Sequence, residues 1–209
     1  MAGGAVWAVH LSADVDGRAG TRTVVVAGSR HRDGAVLEGV ELDLVPGDVV
    51  LSQAWSIGDE VRRIELGELA RPPARALWFV AQPQLEADPP AMVLVGFTTD
   101  EHPAGAVVGE PEFAAGQTSG GDQVGAIRWW VHNGAIHQVY VQPEHRALGL
   151  GLGLVYAASA YRAARRWPPL QAGGTRTELG QRVTEHVPGA LQHRVLPLTT
   201  LQPPMTPEG

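Results

Sequence analysis

The chain has 209 residues, a formal net charge of −6, 44% hydrophobic and 18% charged residues. This excludes a collagen-like rod and a disordered acidic tail, while the length holds one ample domain or two small ones. Cysteine is absent and all 16 basic residues are arginine, so disulfides, thiolate metal sites, Schiff bases and a P-loop lysine are all ruled out.

The first half reads as strands and turns. Val6–Leu11, Thr23–Ala27 and Val40–Val45 are β-branched or alternating runs, broken at Asp16-Gly17, Asp33-Gly34 and Pro46-Gly47-Asp48. Arg63–Leu66 and Ala76–Ala81 extend the pattern, and Ser52 to Leu69 carries a weak helical alternative. Residues 1–85 are expected to form a β-rich N-terminal region, with 86–209 as a second unit. Pro83 to Pro90 reads as a connector, Ala91–Phe97 as a buried strand, and Thr98 to Asp122 as a long loop. That loop carries Asp100, Glu101, Glu110, Glu112 and Asp122, which form a solvated surface or suit a cationic amine.

From Val124 the pattern sharpens. Gly125–Val131 and Ala135–Val141 are two strands, and Asn133-Gly134 between them suggests a type I′ hairpin turn. Trp129 and Trp130 point to opposite faces, so one belongs to the core and the other is free to line a cleft. Pro143 stops the second strand, and Arg146-Ala147-Leu148-Gly149-Leu150-Gly151-Leu152-Gly153 comes next. A helix is expected from Leu154 to Arg166, ended by Trp167-Pro168-Pro169. Leu170–Gly173 is a short extended piece or an ordinary loop. Thr175 and Glu178 have capping-box spacing for a helix over Arg176 to His186, and His193–Leu198 reads as a last strand. Residues from Gln202 onward read as a frayed tail.

A strand ending at a glycine-rich turn that opens a helix is a ready anion site, because the first helical amides have no internal partner. The Rossmann fingerprint fails at Leu154, where a third glycine is required, and no Gly-Lys-Ser/Thr exists. The arrangement Val141-x-Pro143-x-x-Arg146-x-x-Gly149-x-Gly151 after a hairpin resembles the acetyl-CoA signature of the GNAT superfamily of N-acetyltransferases. The resemblance covers about Val124 to Arg166, with one departure: Ala147 stands where glycine is common.

The resemblance implies a mixed α/β (α+β) fold, with a mostly antiparallel sheet flanked by helices and an acetyl-CoA motif over 139–154. It also implies that the amides of Arg146, Ala147, Leu148, Gly149, Leu150, Gly151 and Leu152 bind the CoA pyrophosphate. The backbone of Val139, Tyr140 and Val141 would pair with the pantetheine arm, in a gap beside the next parallel strand. The implied reaction is transfer of an acetyl or other acyl group from acetyl-CoA to a primary amine, on a small molecule or peptide.

The family's usual catalytic groups are missing at their usual places. No Glu stands on Ala135–Val141, and Tyr140, Tyr156 and Tyr161 all precede Thr175. His137 is the candidate base, since imidazole titrates near neutral pH. The gaps leave a second reading open, a catalytically inactive binding or assembly protein on the same fold. No run approaches the ~18 apolar residues of a membrane helix, Met1–His10 lacks a basic leader, and the arginines are dispersed. A cytoplasmic protein is therefore expected, without metal, membrane or nucleic-acid partners, and with a sheet edge that allows a homodimer.

Overall fold

The computed structural model describes residues 5–187 and 189–202. Strands β1 (Ala5–Val15) and β2 (Arg18–Gly28) form a long antiparallel hairpin across the Asp16-Gly17 turn. The short β3 (Val36–Glu38) runs parallel to β1, and β4 (Val49–Ile57) with β5 (Glu60–Leu66) completes a sheet of order β3-β1-β2-β4-β5. After the one-turn helix α1 (Pro72–Arg75), a second sheet takes β6 (Trp78–Gln84), β7 (Ala91–Phe97), β8 (Val107–Gly109), β9 (Gln123–Trp130), β10 (Ala135–Val141) and β11 (Gln171–Ala172). Its order is β11-β10-β9-β7-β6-β8. The short helix α2 (Glu110–Ala114) directly succeeds β8, and its Phe113 packs with Trp78 and Phe97 on one face of this sheet.

The helix α3 (Leu150–Ala164) lies between the two sheets. Toward the second sheet it presents Leu154, against Gly96 and Gly125, and Tyr161, whose ring centre is 6.1 Å from that of Trp129. Toward the first sheet it is held by His10, whose Nε2–H donates to the Ala163 carbonyl (3.1 Å). Beyond β11 a third layer is built from β12 (Thr175–Thr177), α4 (Glu178–Glu185), a 3-10 turn over Gly189–Arg194 and β13 (Thr200–Gln202). The fold is thus mixed α/β with mostly antiparallel sheets and a β-rich N-terminal half, as expected. No helix among the described residues is long and apolar enough to cross a membrane.

Several local expectations fail, each for a physical reason. Val40–Val45 forms no strand: it crosses the outer face of the first sheet, where Leu42 packs over Trp7, Val9, Val24 and Val26. The helical alternative over Ser52–Leu69 is two paired strands. The connector begins later than Pro83, because β6 pairs with β7 out to Gln84. The loop Thr98–Asp122 contains β8 and α2, the latter started by Pro111 in its first turn. The turn after Trp130 is not type I′: only Gly134 has positive φ, and the Asn133 carboxamide oxygen accepts from the Ala135 amide (2.9 Å). Thr175 is a strand residue and Thr177 is the cap of α4, accepting from the Gly180 amide (3.1 Å). His193 and Arg194 end a 3-10 turn, so the last strand is β13 rather than His193–Leu198. The expected tail falls, beyond Gln202, outside the described residues.

Two contacts set the positions of the layers. Gly153 lets α1 touch α3: a Cβ there would lie 2.4 Å from the Ala74 methyl. In an open helix Gly→Ala gains about 1 kcal/mol, but here the contact reverses the sign. Gly153→Ala should lower stability by about 1 kcal/mol, a fall in Tm of about 2–4 °C by thermal circular dichroism.

At the other end, Asp33 accepts from Nη2 and Nε of Arg194 (2.6 and 3.0 Å), and Nη2 also donates to the Val6 carbonyl (3.1 Å). Burial pushes the Asp33 carboxyl up, but hydrogen bonds from Arg194, His193 and the Val6 amide outweigh it and hold its pKa at about 2. A depressed carboxyl stabilises the fold above its unfolded pKa and loses that contribution as pH falls toward 2. Asp33→Asn should cost about 1–2 kcal/mol at pH 7, a figure reduced for the partial exposure of the side chain, and should flatten the stability profile between about pH 4 and pH 2. Urea titrations across that range check both effects.

Candidate functional site

The strand β10 ends at Val141, and a 3-10 turn over Pro143–His145 carries the chain to Arg146. Arg146 turns back, its Nε donating to the Val141 carbonyl (3.1 Å). Ala147 and Gly149 then both take left-handed backbone, with φ 62° and 82°. The helix begins at Leu150, four residues earlier than expected, and ends at Ala164 instead of Arg166, which has φ 56°. Its first intrahelical bond runs from the Gly153 amide to the Gly149 carbonyl (3.1 Å).

One consequence is chemical. The amides of Ala147, Leu148, Gly149, Leu150, Gly151 and Leu152 meet no acceptor among the described residues, whereas the Arg146 amide donates to the Pro143 carbonyl (3.3 Å). Six consecutive unpaired N–H groups at the positive end of a buried helix form a donor set suited to phosphate oxygens.

Gly149 is needed for two reasons. Its φ is costly for any side chain, and a Cβ would lie 2.7 Å from Cδ of Arg71. Arg71, just before α1, also donates from Nη1 to the Ala147 carbonyl (2.9 Å). It has no acidic partner among the described residues, so it adds an uncompensated charge beside the free amides. Sequence reading passed over it, and only Pro72 at the first helical position hinted at structure there.

The second element of the site is an unpaired strand edge. β11 lies parallel to β10 only at Ala135 and Ile136, so residues 137–141 have no strand beside them on that side. The extended piece 170–173 is therefore a strand next to β10, and the two diverge after Ile136. Val139 and Val141 turn their methyls toward α3, within 3.9 Å of where a Gly151 side chain would start, while Tyr140 is on the opposite face. Val183 of α4 reaches the same point at 3.4 Å. The side wall of the gap is thus Val183 of α4, a residue without any motif in the sequence.

His137 is the extra residue of a β-bulge, between Ile136 paired with Trp129 and Gln138 paired with Arg128. It is exposed and immediately succeeds the last β10–β11 pair. Its ring lies 4.7 Å from Trp130, whose other neighbour is the Arg128 guanidinium, also at 4.7 Å. Burial, and then the positive charge of Arg128, lower its pKa, which keeps the imidazole neutral and able to accept a proton near neutral pH. Trp129 is fully buried and Trp130 half-buried on the other face, as the alternation requires.

The remaining candidates lie elsewhere. The Tyr156 hydroxyl is buried without a partner among the described residues, and desolvation pushes it up to about 12. Glu185 and His186 are exposed. The acidic segment reaches the loop end of β10 at Gly121, whose carbonyl accepts from the Gln142 side-chain amide (3.4 Å). There Glu101 is occupied by the amides of Gln117 and Thr118 (2.6 and 2.7 Å). Among the described residues no three His, Asp or Glu side chains gather as a metal site would need.

Ala147 provides a direct check on the loop. An L-residue in the left-handed region costs about 1–2 kcal/mol, partly offset because glycine leaves a more flexible unfolded chain. Ala147→Gly should therefore raise stability by about 0.5–1 kcal/mol, read as a higher urea midpoint with an unchanged slope.

No curated protein and no solved structure matches the chain. A family model does: the acetyltransferase (GNAT) family model spans residues 59–168, from the turn before β5 to the end of the α3 segment. That span is more than half of the chain and contains the amide-lined loop, the bulged strand and the buried helix. The chain belongs to the acetyltransferase (GNAT) family.

Proposed function

We propose that this acyltransferase-type protein moves an acyl group, acetyl in the simplest case, from a CoA thioester to a primary amine. The observation that carries the reading is the run of six unpaired amides at residues 147–152, directly after a strand whose edge is open from 137 to 141. The amides and Arg71 would bind the pyrophosphate, and the backbone of Val139–Val141 would hold the pantetheine arm. Acetyl-CoA supplies the activated acyl group when bound.

At the far end of that edge, His137 would take the proton released as the amine attacks. Its shifted pKa means that it is neutral at a lower pH than a free histidine. No tyrosine accompanies it on α4, so protonation of the departing thiolate falls to solvent. A binding or assembly protein on the same fold is the second reading, favoured by that missing acid. It prevails if CoA binds and no member of an amine panel is acylated.

Isothermal titration of acetyl-CoA and CoA, with ATP and NAD as controls, tests the loop. Saturable binding of the CoA species alone is expected. Arg71→Leu, which keeps the apolar stem over Gly149, should weaken binding about tenfold and flatten its salt dependence. CoA affinity identical in wild type and Arg71→Leu would remove Arg71 from the site. For turnover, kcat/KM should fall on an acid limb below pH 6.5 that His137→Gln abolishes. A limb that survives in His137→Gln assigns the base elsewhere.

A further inference from the structure

Arg162 takes no part in the amide loop or in the contacts that set the layers. It is 2% exposed, and its Nε is buried without a partner among the described residues. Its one hydrogen bond among those residues is a long one, Nη1 to the Trp167 carbonyl at 3.4 Å. A guanidinium has five N–H donors, and a buried charge is retained only with a partner.

The nearest acid cannot serve. Asp33 Oδ1 accepts from the Val6 amide and Arg194 Nη2, and Oδ2 accepts from Arg194 Nε and His193 Nε2. Its four acceptor positions are therefore filled. Arg194, itself 7% exposed, adds a second positive charge nearby. Burial and Arg194 lower the Arg162 pKa to about 9, which leaves it cationic at neutral pH.

The position of this charge is informative. Arg162 is eleven residues beyond Gly151 on α3, about three turns and roughly 16 Å along the same helix face. Gly151 marks the face that meets Val139, Val141 and Val183. Arg194 precedes Val195, which bridges Ala172 of β11, the residue paired with Ile136 of β10. The amide loop and the buried guanidinium thus lie at the two ends of one face of α3, the face that meets Val139 and Val141 beside the gap. The loop is at the phosphate end and Arg162 is at the level where β10 and β11 diverge.

We propose that Arg162 receives a carboxylate at the end of the acyl chain, so that the preferred donor is a short dicarboxylic acyl-CoA of the malonyl or succinyl class. This rests on the CoA reading of the loop. An acyl chain enters along the gap from inside, whereas an amine acceptor approaches the exposed His137 side, so the buried charge belongs to the donor. The chemistry is otherwise that of any acyl transfer. The amine nitrogen attacks the thioester carbonyl, a C–N bond forms and the C–S bond breaks with its electron pair on sulfur. The ammonium proton leaves to His137 and the thiolate takes a proton from water, while the terminal carboxylate stays ionised throughout.

Titration of free CoA, acetyl-CoA and succinyl-CoA into the full chain tests the assignment. Wild type should bind succinyl-CoA at least tenfold more tightly than acetyl-CoA. Arg162→Met should bring that ratio close to one, and Arg162→Lys should retain part of it. If Arg162→Met fails to fold, the wild-type ratio and Arg162→Lys still decide. Binding of all three ligands with equal affinity overturns the carboxylate site and leaves the CoA reading standing. Binding of none overturns both. If acetyl-CoA is the better donor and Arg162→Met raises the KM of an amino-acid acceptor, the carboxylate comes from the acceptor and the proposal is wrong.

Discussion

A helix with no face to solvent constrains everything around it. α3 is enclosed by two sheets and by the α4 layer, and from Leu150 to Ala163 only Leu152 and Val155 escape full burial. Such a helix needs small residues where backbones approach, hence Gly153 against Ala74 and the alanines at 157, 158, 160 and 163. It also has terminal polar groups that lack partners within the helix. At the C-terminal end the protein solves this with its own groups, through His10 on the Ala163 carbonyl and the backbone amides of Arg165, Arg166 and Trp167 on the carbonyls of Tyr161, Ala163 and Arg162. The N-terminal end is left with six amides that have no acceptor among the described residues. The two ends of the helix therefore differ: the negative end is closed by the chain's own groups, and the positive end presents unpaired amides of the kind that suit an anion.

How much of this the sequence revealed depended on how local the cause was. β10 is legible to the residue, because alternation and the proline that ends it are both nearby. The glycine motif is legible as an anion loop. The start of α3 is not, since the glycines lower helix propensity and only tertiary packing makes Leu150–Gly153 helical. Thr175 lost to Thr177 as the cap because β13 draws residues 175–177 into a strand, a pairing between segments 25 residues apart. Val40–Val45 has the right composition for a strand but no neighbour to pair with, so only Leu42 packs over Trp7 and Val24 while Val40, Leu44 and Val45 stay exposed. Apolar composition alone makes no strand without a partner edge.

The site shows the same division more sharply. The loop, the bulged strand and the parallel piece were readable because they are close together in the chain. Arg71 approaches Gly149 from 78 residues upstream and carries no signal beyond an unpaired charge. His137 was readable as a residue type and not as a position: alternation alone assigns it a face, and the bulge re-aims it to the exposed point where β10 and β11 part.

The family match stops at Pro168, yet segments C-terminal to it complete the gap. β11 defines where the gap opens, α4 supplies Val183 as its wall, and the turn ending at Arg194 occupies Asp33, the acid nearest to Arg162. Binding a CoA phosphate requires backbone amides and a helix end, which any member of a family can share. Choosing among acyl chains requires side chains at the other end of the same gap. On the reading proposed for this chain those side chains come from the C-terminal turn of α3 and from segments beyond the family match, so the features that would bind the common part of a donor and those that would read its variable part lie in separate stretches of the sequence.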